Sequence, residues 1–573
     1  MYFKLRCLWL LLFMAAALNG SLSSQETADL LLINGKVITV DAHDSVVEAI
    51  AITQGKILAT GTTAEMRKLA AANVRIIDLH GRAVTPGLID THCHFDETNG
   101  IYAIELSDIR SIAEVQERVR AKVATLKTGE WVQGNGWDEG KLAEHRYITA
   151  ADLDKVAPEN PVWLRHTTGH YAVVNSYALR LANVTPKTKD PSAGTIERDA
   201  QGAPTGVLKE SAMELVKPLI PPFTPEQERN GILKMMADFN REGMTAAKDP
   251  GITPEKWALY QQILNDNKAT VRVFALFLGG TSLESTKQTL AVLQPLRRPP
   301  QSYGDGMLLA GGVKFFMDGS GGARTAWVYQ PWFKNSDQLD VGNTGYPTID
   351  PESYRKMVRL LHQSGIHVST HAVGDRAIDW VVDTYAEVLR ESPRRDLRHG
   401  LIHGVLPSEH AIATLAQLQK QYGAGYPEVQ PPFLWWIGDL YASTFGPQRR
   451  ARALPLKTFQ NRGIVWTGGS DFFVTPYPAR YGLWSAIARE TIVGKQPFGS
   501  EEAIDIHEAL KAYTISAARQ LFLEKQIGSL EPGKDADIAV WDRDPYSVPT
   551  QALKEMKCEL TLLRGEVVFE DGR

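Results

Sequence analysis

The sequence contains little cysteine and no run of basic residues. Only 3 of the 573 residues are cysteine, and one of them, Cys7, lies in an N-terminal leader. A disulfide framework is therefore excluded, and stability has to come from a large buried core. The net charge is −4, and a weakly acidic chain without basic runs does not support nucleic-acid binding. Low-complexity tracts and internal repeats of fixed period are also missing, so the composition is that of an ordinary globular protein.

The longest apolar run lies at the N-terminus and is short. Lys4 and Arg6 precede an apolar stretch, residues 7–18, which small polar residues follow at 19–24. This pattern is typical of a secretory signal peptide, and the apolar stretch is too short to span a bilayer comfortably. We predict a signal peptide at residues 1–24, a periplasmic or secreted mature protein, and no stable membrane anchor after cleavage. An uncleaved anchor is the alternative.

The two ends of the mature chain share a β-rich pattern. Residues 28–83 alternate apolar and polar side chains between glycine-containing turns, and residues 537–542 and 562–569 repeat this alternation. Such runs between X-Gly turns are hairpin signals. We therefore predict a small β-sandwich built from both chain ends, residues 25–86 and residues 505–573, the second part beginning with a helix.

The middle of the chain, residues 87–504, alternates short apolar strands with amphipathic helical stretches, which is typical of a parallel α/β architecture. We predict a TIM-like (β/α)₈ barrel, in which chemistry occurs at the C-terminal ends of the strands. The stretch 97–242 is too long for one βα unit and is predicted to be an insertion after barrel strand 1 that covers the barrel mouth. The candidate strands are residues 87–91, 162–165, 245–248, 313–317, 367–370, 401–402, 423–426 and 464–467.

The most informative motif is residues 86–96, Pro-Gly-Leu-Ile-Asp-Thr-His-Cys-His-Phe-Asp. On a strand, the period of two places His92 and His94 on one face. Two neutral imidazoles on one rigid strand form half of a zinc-type coordination shell. An isolated His-x-His is as often two ordinary histidines near a loop as it is part of a metal site. Residues elsewhere in the chain therefore have to distinguish the two interpretations.

Further candidate ligands lie at the ends of other predicted strands. Lys314 stands inside an apolar strand, where an ammonium group is costly to bury unless it is neutralised or paired. The others are His371, His403 and Asp471. Four imidazoles, one lysine and one carboxylate that converge at a barrel mouth suit one or two divalent metal ions, and we predict Zn²⁺.

With these motifs in view, the chain resembles the amidohydrolase superfamily, and within it the family 3 branch that includes the N-substituted formamide deformylases. The resemblance covers nearly the whole mature chain. The motifs that carry it are residues 86–94, 134–138, 168–170, 175–176, 314–319, 324–326, 371–377, 469–472 and 527–537.

The resemblance implies a role for each candidate ligand. His92 and His94 would bind the more buried metal ion, and His371 and His403 would bind a second one. Lys314, carbamylated by carbon dioxide, would bridge the two ions.

The resemblance also implies that Asp471 contacts metal and acts as the general base. Lys248 is a second lysine within a strand, but the bridging lysine of this superfamily belongs to barrel strand four, so we favour Lys314. At barrel strand six the chain departs from the branch pattern: residues 401–404, Leu-Ile-His-Gly, replace arginine-isoleucine-glutamate-histidine-alanine. The resemblance therefore does not identify the residue that supports the His403 ring.

Other polar and aromatic residues are candidates for contact with a substrate. His170 is predicted to polarise the substrate carbonyl as a catalytic residue, with a structural histidine of the insertion as the alternative. Trp137, Asp318 and Arg324 are predicted to bind substrate; for Asp318 and Arg324 the alternative is to hold loops together, and for Trp137 it is core packing.

Taken together, these features predict a metal-dependent hydrolase that cleaves a C–N bond of a small amide, an N-substituted formamide or a related amide. The alternatives are a deaminase or cyclic-amide hydrolase with the same metal shell, an ester hydrolase, and a metal- or ligand-binding protein without turnover. The predicted partner is a small-molecule amide, and a homodimer is left open.

Overall fold

A computed structural model of the protein describes residues 26–296, 301–335 and 338–572. The predicted signal peptide, residues 1–24, lies outside the described residues. Within these ranges, no helix is both long enough and apolar enough to cross a membrane. Cys93 and Cys558 are both buried and are not joined to each other.

Parallel strands form a barrel at the centre of the molecule, and each pairs with the next along the sheet. We number them 1 to 8 in chain order: Leu88–Asp90, Met244–Ile252, Arg272–Leu278, Leu308–Phe316, His367–Ala372, Gly400–His403, Tyr426–Val429 and Thr467–Gly468. The ring closes between strands 8 and 1, where the backbone N–H of Thr91 donates to the Gly468 carbonyl at 3.1 Å. The predicted barrel is confirmed.

One of the eight predicted barrel strands was wrong. Residues 162–165 belong to the strand Val162–His166, which pairs with neighbours in the insertion and not with the barrel. Barrel strand 3 is instead Arg272–Leu278. Both segments are short apolar runs, and periodicity alone does not say which sheet such a run joins. Lys248 accordingly lies on barrel strand 2 and not on strand 3.

Helices cover the outside of the barrel and bury their apolar faces against it. Several of them begin after a Ser, Thr or Asp whose side chain accepts a hydrogen bond from a first-turn backbone N–H, as Thr224 and Ser408 do. The helix Pro225–Arg241 lies within the predicted insertion, residues 97–242, but follows the last strand of the insertion sheet. From this helix onward the helices are Pro225–Arg241, Pro254–Asn265, Leu283–Leu293, Pro351–Gln363, Asp375–Glu391, Glu409–Tyr422, Pro432–Trp436, Gly438–Arg452, Leu456–Asn461, Ala479–Ala488, Ile506–Ala512, Ile515–Gln520 and Thr550–Leu553.

The insertion after barrel strand 1 has a sheet and two small cores of its own. In spatial order its strands are Gly194–Arg198, Pro204–Glu210, Tyr171–Val174, Val162–His166, Val132–Trp137 and Ile104–Glu105. Its helices are Thr98–Tyr102, Ile112–Val123, Ala150–Asp154 and Ser176–Leu181. The sheet and the segments after its strands bring residues into the lining of the barrel cavity, namely Arg165, Thr168, Gly169, His170, Glu210, Ser211, Met213 and Glu214.

Both chain ends form the small β-sandwich, as predicted. One sheet contains Ala28–Ile33, Ala49–Thr53, Lys56–Gly61 and Ala70–Asp78. The other contains Lys36–Ile38, Val46–Val47, Ala83–Pro86, Ile538–Trp541, Cys558–Leu563 and Glu566–Glu570. Its buried core joins Leu32 and Val37 from the N-terminal part to Ile538 and Leu562 from the C-terminal part.

Candidate active site

A cavity of about 420 Å³ lies at the C-terminal end of the barrel strands, where the fold places chemistry. Barrel strands and the loops after them supply most of the polar lining, and the insertion closes one side. The polar side chains that line it are His92, His94, Thr281, Lys314, Asp318, Thr348, His371, His403 and Asp471 from the barrel and its loops, and Arg165, Thr168, His170, Glu210, Ser211 and Glu214 from the insertion. All six predicted metal ligands therefore face one cavity.

His92, His94 and Asp471 converge on one point. Oδ1 of Asp471 lies 3.2 Å from Nε2 of His92 and 3.2 Å from Nε2 of His94. Asp471 follows barrel strand 8 with a φ of +53°, and its N–H donates to the His92 carbonyl at 2.6 Å. Burial lowers the pKa of His92 well below its usual value, so the imidazole is neutral. Burial opposes ionisation of Asp471, but the two imidazoles outweigh it and hold the pKa of this carboxyl well below its usual range.

His371 and His403 form the second pair of imidazoles. Their ring centroids are 4.5 Å apart, and the His403 ring is 5.1 Å from that of His92. Nε2 of His371 lies 3.0 Å from the Gly319 carbonyl oxygen, so Nδ1 is the nitrogen that remains for a metal ion. Burial lowers the pKa of His403 to about 3, so this ring is also neutral and able to act as a metal ligand.

Gln430 supports His403 and was missed from the sequence. Its Oε1 lies 2.7 Å from Nδ1 of His403, and its amide nitrogen donates to the Glu428 carbonyl at 2.9 Å, which fixes the orientation of the amide. Nδ1 of His403 therefore carries the proton, and Nε2 is free. The signal available in the sequence was a polar residue directly after the end of barrel strand 7, Tyr426–Val429.

Lys314 is buried in the cavity wall without a carboxylate partner. Its side chain is 1% exposed, and Nζ lies 4.5 Å from the centroid of the Phe316 ring. Across the described ranges, no Asp or Glu oxygen lies within 4.0 Å of this nitrogen. Burial lowers the pKa of Lys314 to about 7. A large share of the amine is then neutral near pH 7, as reaction with carbon dioxide requires.

These residues fit a divalent metal ion. Neither ring nitrogen of the buried His92 has a hydrogen-bond partner among the residues that the structure describes, although buried polar atoms are normally satisfied. His92, His403 and Asp471 each offer a ligand atom, and these atoms lie within 4.8 Å of one another. Imidazole nitrogen and carboxylate oxygen are donors that suit zinc and related ions.

The insertion contributes a histidine–carboxylate pair to the same cavity. Nδ1 of His170 lies 3.0 Å from one oxygen of Glu210 and 3.1 Å from the other, and Thr325 donates its hydroxyl to Glu210 at 2.5 Å. The His170 ring is 5.1 Å from that of His371. Burial opposes protonation of His170, but the Glu210 carboxylate outweighs it and raises the pKa of this imidazole. Glu210 and Thr325 were not found from the sequence.

Of the three predicted substrate-binding residues, only Asp318 lines the cavity. Trp137 is fully buried in the insertion and donates its indole N–H to the Leu164 carbonyl at 3.0 Å. Arg324 pairs with Asp340 at 3.1 Å. The placement of Trp137 and Arg324 does not support contact with a substrate. The carboxylate of Asp318 holds loops together, because it accepts backbone N–H bonds from Trp327, Val373 and Gly374.

A second group of possible ligand atoms, on Asp138, Glu139 and His166, lies in the insertion and outside the cavity lining. Nε2 of His166 lies 3.0 Å from Glu139 and 2.7 Å from the Tyr171 hydroxyl. Asp138 has the buried ammonium of Lys141 at 4.0 Å. His166, Glu139 and Tyr171 pair with one another, whereas Oδ2 of Asp138 and Nζ of Lys141 have no hydrogen-bond partner among the described residues. This cluster is therefore a buried polar network that is only partly satisfied.

Comparison with known proteins identifies the relatives of the chain. A sequence profile of the amidohydrolase family matches residues 75–569. The protein LONG AFTER FAR-RED 3 of Arabidopsis thaliana is 31% identical over 92% of this chain and 90% of its own length. The N-substituted formamide deformylase of Arthrobacter pascens is 30% identical over 95% of this chain and 98% of its own. A crystal structure of an uncharacterized metal-dependent hydrolase from Pyrococcus horikoshii OT3 has the same fold, with a TM-score of 0.70 at 24% identity, over 91% of this chain and 99% of that one.

Proposed function

Because this chain belongs to the amidohydrolase family, we propose that it hydrolyses the C–N bond of a small N-substituted amide, such as an N-substituted formamide. The observation that carries the proposal is the convergence of His92, His94 and Asp471 at 3.2 Å, with both nitrogens of the buried His92 otherwise unpartnered. The full-length similarity to a formamide deformylase supports this substrate class.

We propose Zn²⁺ as the cofactor, as one or two ions. The residues that would hold it are His92, His94, His371, His403, Asp471 and a carbamylated Lys314. A divalent ion bound there supplies Lewis-acid activation of water and of the amide carbonyl.

Asp471 is the proposed general base. Its carboxylate is ionised and lines the cavity, and the backbone bond from its N–H to the carbonyl of His92 holds the residue in place. It accepts the proton of the attacking water and then delivers that proton to the leaving nitrogen. The nitrogen therefore departs as a neutral amine and not as an amide anion, which is a poor leaving group.

His170 is proposed to donate a hydrogen bond to the carbonyl oxygen as negative charge develops there. The bond from Nδ1 to Glu210 fixes the ring and favours the protonated form. A donor that is already oriented costs no reorganisation during the reaction, and this kind of stabilisation is usually the largest contribution in acyl transfer.

The remainder of the cavity lining favours a small substrate with an apolar substituent. Its volume of about 420 Å³ lies within the range for small-molecule sites. The apolar side chains in the lining are Ala193, Met213, Leu278, Phe315, Phe316, Ile349, Phe473 and Val474.

A product assay tests the proposal and separates it from its alternatives. Purified protein is incubated with N-benzylformamide, and formate, benzylamine and ammonia are each quantified. Equal amounts of formate and benzylamine support the amide hydrolase. Release of ammonia from cyclic or amino-substituted heterocycles, without cleavage of any N-substituted amide, would contradict the amide hydrolase and indicate a deaminase. If metal-loaded protein turns over no amide, heterocycle or ester, the remaining alternative is a binding protein without turnover.

We also propose export of the mature chain, because the run at residues 1–24 has the order of charged, apolar and small polar residues of a signal peptide. Fractionation of the producing cells and N-terminal sequencing of the protein test this proposal. An intact N-terminus in the cytoplasmic fraction would overturn it.

A further inference from the structure

Arg165 projects into the active-site cavity from the insertion strand Val162–His166. Its guanidinium lies over the ring of Phe473, 4.3 Å from the centroid, and that ring is 5.7 Å from the ring of His94. Arg165 therefore lies one aromatic ring away from the proposed metal ligands.

The guanidinium of Arg165 is partly exposed, and its hydrogen-bond partners are weak. Its hydrogen bonds run from Nε and Nη2 to the Gly169 carbonyl, both at 3.4 Å, the long end of the range for such bonds. In the part of the chain that the structure describes, no carboxylate oxygen lies within 4.0 Å of it. An arginine side chain carries five N–H donors, so most of its donor capacity remains for a ligand.

Two fully buried arginines show how this fold satisfies a guanidinium elsewhere. Arg272 donates to Asp537 at 2.7 Å and to Asp535 at 2.8 Å. Arg489 donates to backbone carbonyls, including that of Ala453 at 2.7 Å. Arg165 differs from both: it is partly exposed, and among the described residues it has only the two 3.4 Å bonds to Gly169, so its donors face the cavity and remain open to water or to a ligand.

Two carboxylates of the cavity lining, Asp471 and Glu214, attract the Arg165 guanidinium from beyond 4.0 Å, and each has other partners. Those of Asp471 are His92 and His94, both at 3.2 Å. Glu214 lines the same cavity, but its carboxylate pairs with Lys217 at 3.0 Å, and both side chains are more than half exposed. Glu214 is thus engaged at the solvent side and leaves the guanidinium available.

We propose that Arg165 forms a carboxylate-binding subsite, so that the substrate is an N-substituted amide that also carries a carboxylate. A guanidinium binds a carboxylate through two parallel N–H bonds, a match of shape as well as charge. The subsite rests on the proposed function: with the carboxylate on Arg165, the amide carbon lies toward Asp471 and His170. N-formyl and N-acyl amino acids have this arrangement of groups.

Gly169 keeps the guanidinium in this position. Its φ is +76°, and a Cβ atom there would lie 3.0 Å from Nη2 of Arg165 and 3.3 Å from Cζ of Phe473. Any larger residue would push on both members of the stack and would adopt an unfavourable backbone conformation. The local sequence therefore preserves room for the stacked arginine.

Paired substrates that differ only in the carboxylate test the proposal. N-formyl-leucine and N-isopentylformamide share the formamide and the branched alkyl chain, and only the first has a carboxylate. We expect kcat/KM of the wild-type enzyme to be at least ~10-fold higher for N-formyl-leucine, about the value of one charge-assisted hydrogen bond. In Arg165→Gln this ratio should fall at least ~10-fold, mainly through KM. Arg165→Lys should give an intermediate ratio, because the charge remains while the planar fork is lost.

A matched control and a binding measurement separate the possible outcomes. Arg180→Gln, at an exposed position of the helix Ser176–Leu181, should keep the wild-type ratio. Hydrolysis of both compounds with a ratio that Arg165→Gln does not change overturns the carboxylate subsite and leaves the proposed function intact.

If neither compound is hydrolysed, calorimetric binding of N-formyl-leucine decides. Binding by the wild type that is at least ~10-fold weaker in Arg165→Gln supports the subsite although the proposed function has failed. Equal binding by both proteins overturns the subsite. If Arg165→Gln does not fold, the ratio in Arg165→Lys decides alone, and a ratio equal to that of the wild type would contradict the proposal.

Discussion

Oε1 of Gln430, which follows barrel strand 7, accepts a hydrogen bond from Nδ1 of His403 at 2.7 Å. The sequence around His403 lacks the glutamate that the family pattern places beside it. The structure shows that a residue 27 positions further along the chain supplies an acceptor in its place. Groups that hold the second nitrogen of a metal-binding histidine orient the ring and tune its basicity.

Gln430→Ala should weaken metal binding by ~10–100-fold, because His403 loses the group that orients its ring. Titration of the purified protein against a chelator of known affinity measures this change. Gln430→Glu, which keeps an acceptor at the same reach, should bind metal more tightly than the alanine variant. Gln417→Ala, at an exposed helix position, is the matched control. Equal affinities in all of these proteins would show that His403 needs no such support.

Asp471→Asn should lose at least ~10²-fold in kcat, since the amide cannot accept the proton of the attacking water. Its side chain keeps the size and one oxygen of the original, so we expect metal to be retained. Single-turnover kinetics and elemental analysis of the same sample measure both quantities. Asp383→Asn, at an exposed position of the helix Asp375–Glu391, should behave as the wild type. A near-normal rate in Asp471→Asn would remove Asp471 from the mechanism.

Lys314→Ala should reduce the metal content of the purified protein, because the proposed bridging carbamate cannot form. Short carboxylic acids or added bicarbonate should restore part of the metal content and activity by placing an anionic oxygen in the vacated space. Lys356→Ala, at an exposed helix position, controls for the loss of a lysine. A fully loaded and active Lys314→Ala variant would show that Lys314 has only a structural role.

Lys248 and Glu428 join barrel strands 2 and 7 through a fully buried ion pair, 2.8 Å from Nζ to Oε1. Lys248→Met should destabilise the protein by ~3–5 kcal/mol, because it leaves the buried carboxylate without its cation. The double variant with Glu428→Gln should regain much of this loss. Chemical denaturation measures the free energy of unfolding of each protein. A single variant as stable as the wild type would mean that Ser369 and Gln520, which also donate to Glu428, satisfy it alone.

Acid should destabilise the protein through a buried pair of histidines outside the cavity. The N–H of Val368 donates to Nδ1 of His399 at 3.2 Å, so His399 donates from Nε2 to Nδ1 of His362 at 3.0 Å. His362 in turn donates to the Ser392 carbonyl at 2.7 Å. This chain of bonds requires both rings to be neutral, and burial lowers the pKa of His399 from 6.5 to about 3.

The sign of the pH effect follows from which state binds the proton. Between pH 6.5 and about 3 the unfolded chain binds a proton at position 399 and the folded chain does not, so stability falls as the pH falls through this window. His399→Gln should show a smaller loss of unfolding free energy between pH 7 and pH 5 than the wild type. His43→Gln, at an exposed position, should keep the wild-type slope. Parallel curves for wild type and His399→Gln would contradict the prediction.

Much of the fold and of the ligand set was accessible from the sequence for local reasons. His92 and His94 share a face because a strand has a period of two, and this relationship does not depend on the rest of the molecule. Lys314, His371, His403 and Asp471 stand out because each interrupts or ends an apolar run. The barrel strand Arg272–Leu278 was missed because it has no such polar residue at its end, and residues 162–165 were taken in its place.

The amino-acid sequence by itself determined the barrel, the sandwich of both chain ends and the residue types that meet at the barrel mouth, since hydrophobic period and turn chemistry are local properties. Only the tertiary structure decided the partners of those residues. Gln430 beside His403, Glu210 beside His170 and Arg165 over Phe473 are contacts between segments 27 to 308 positions apart. Such contacts depend on how strands and the insertion pack in three dimensions, and no local pattern of residues encodes them.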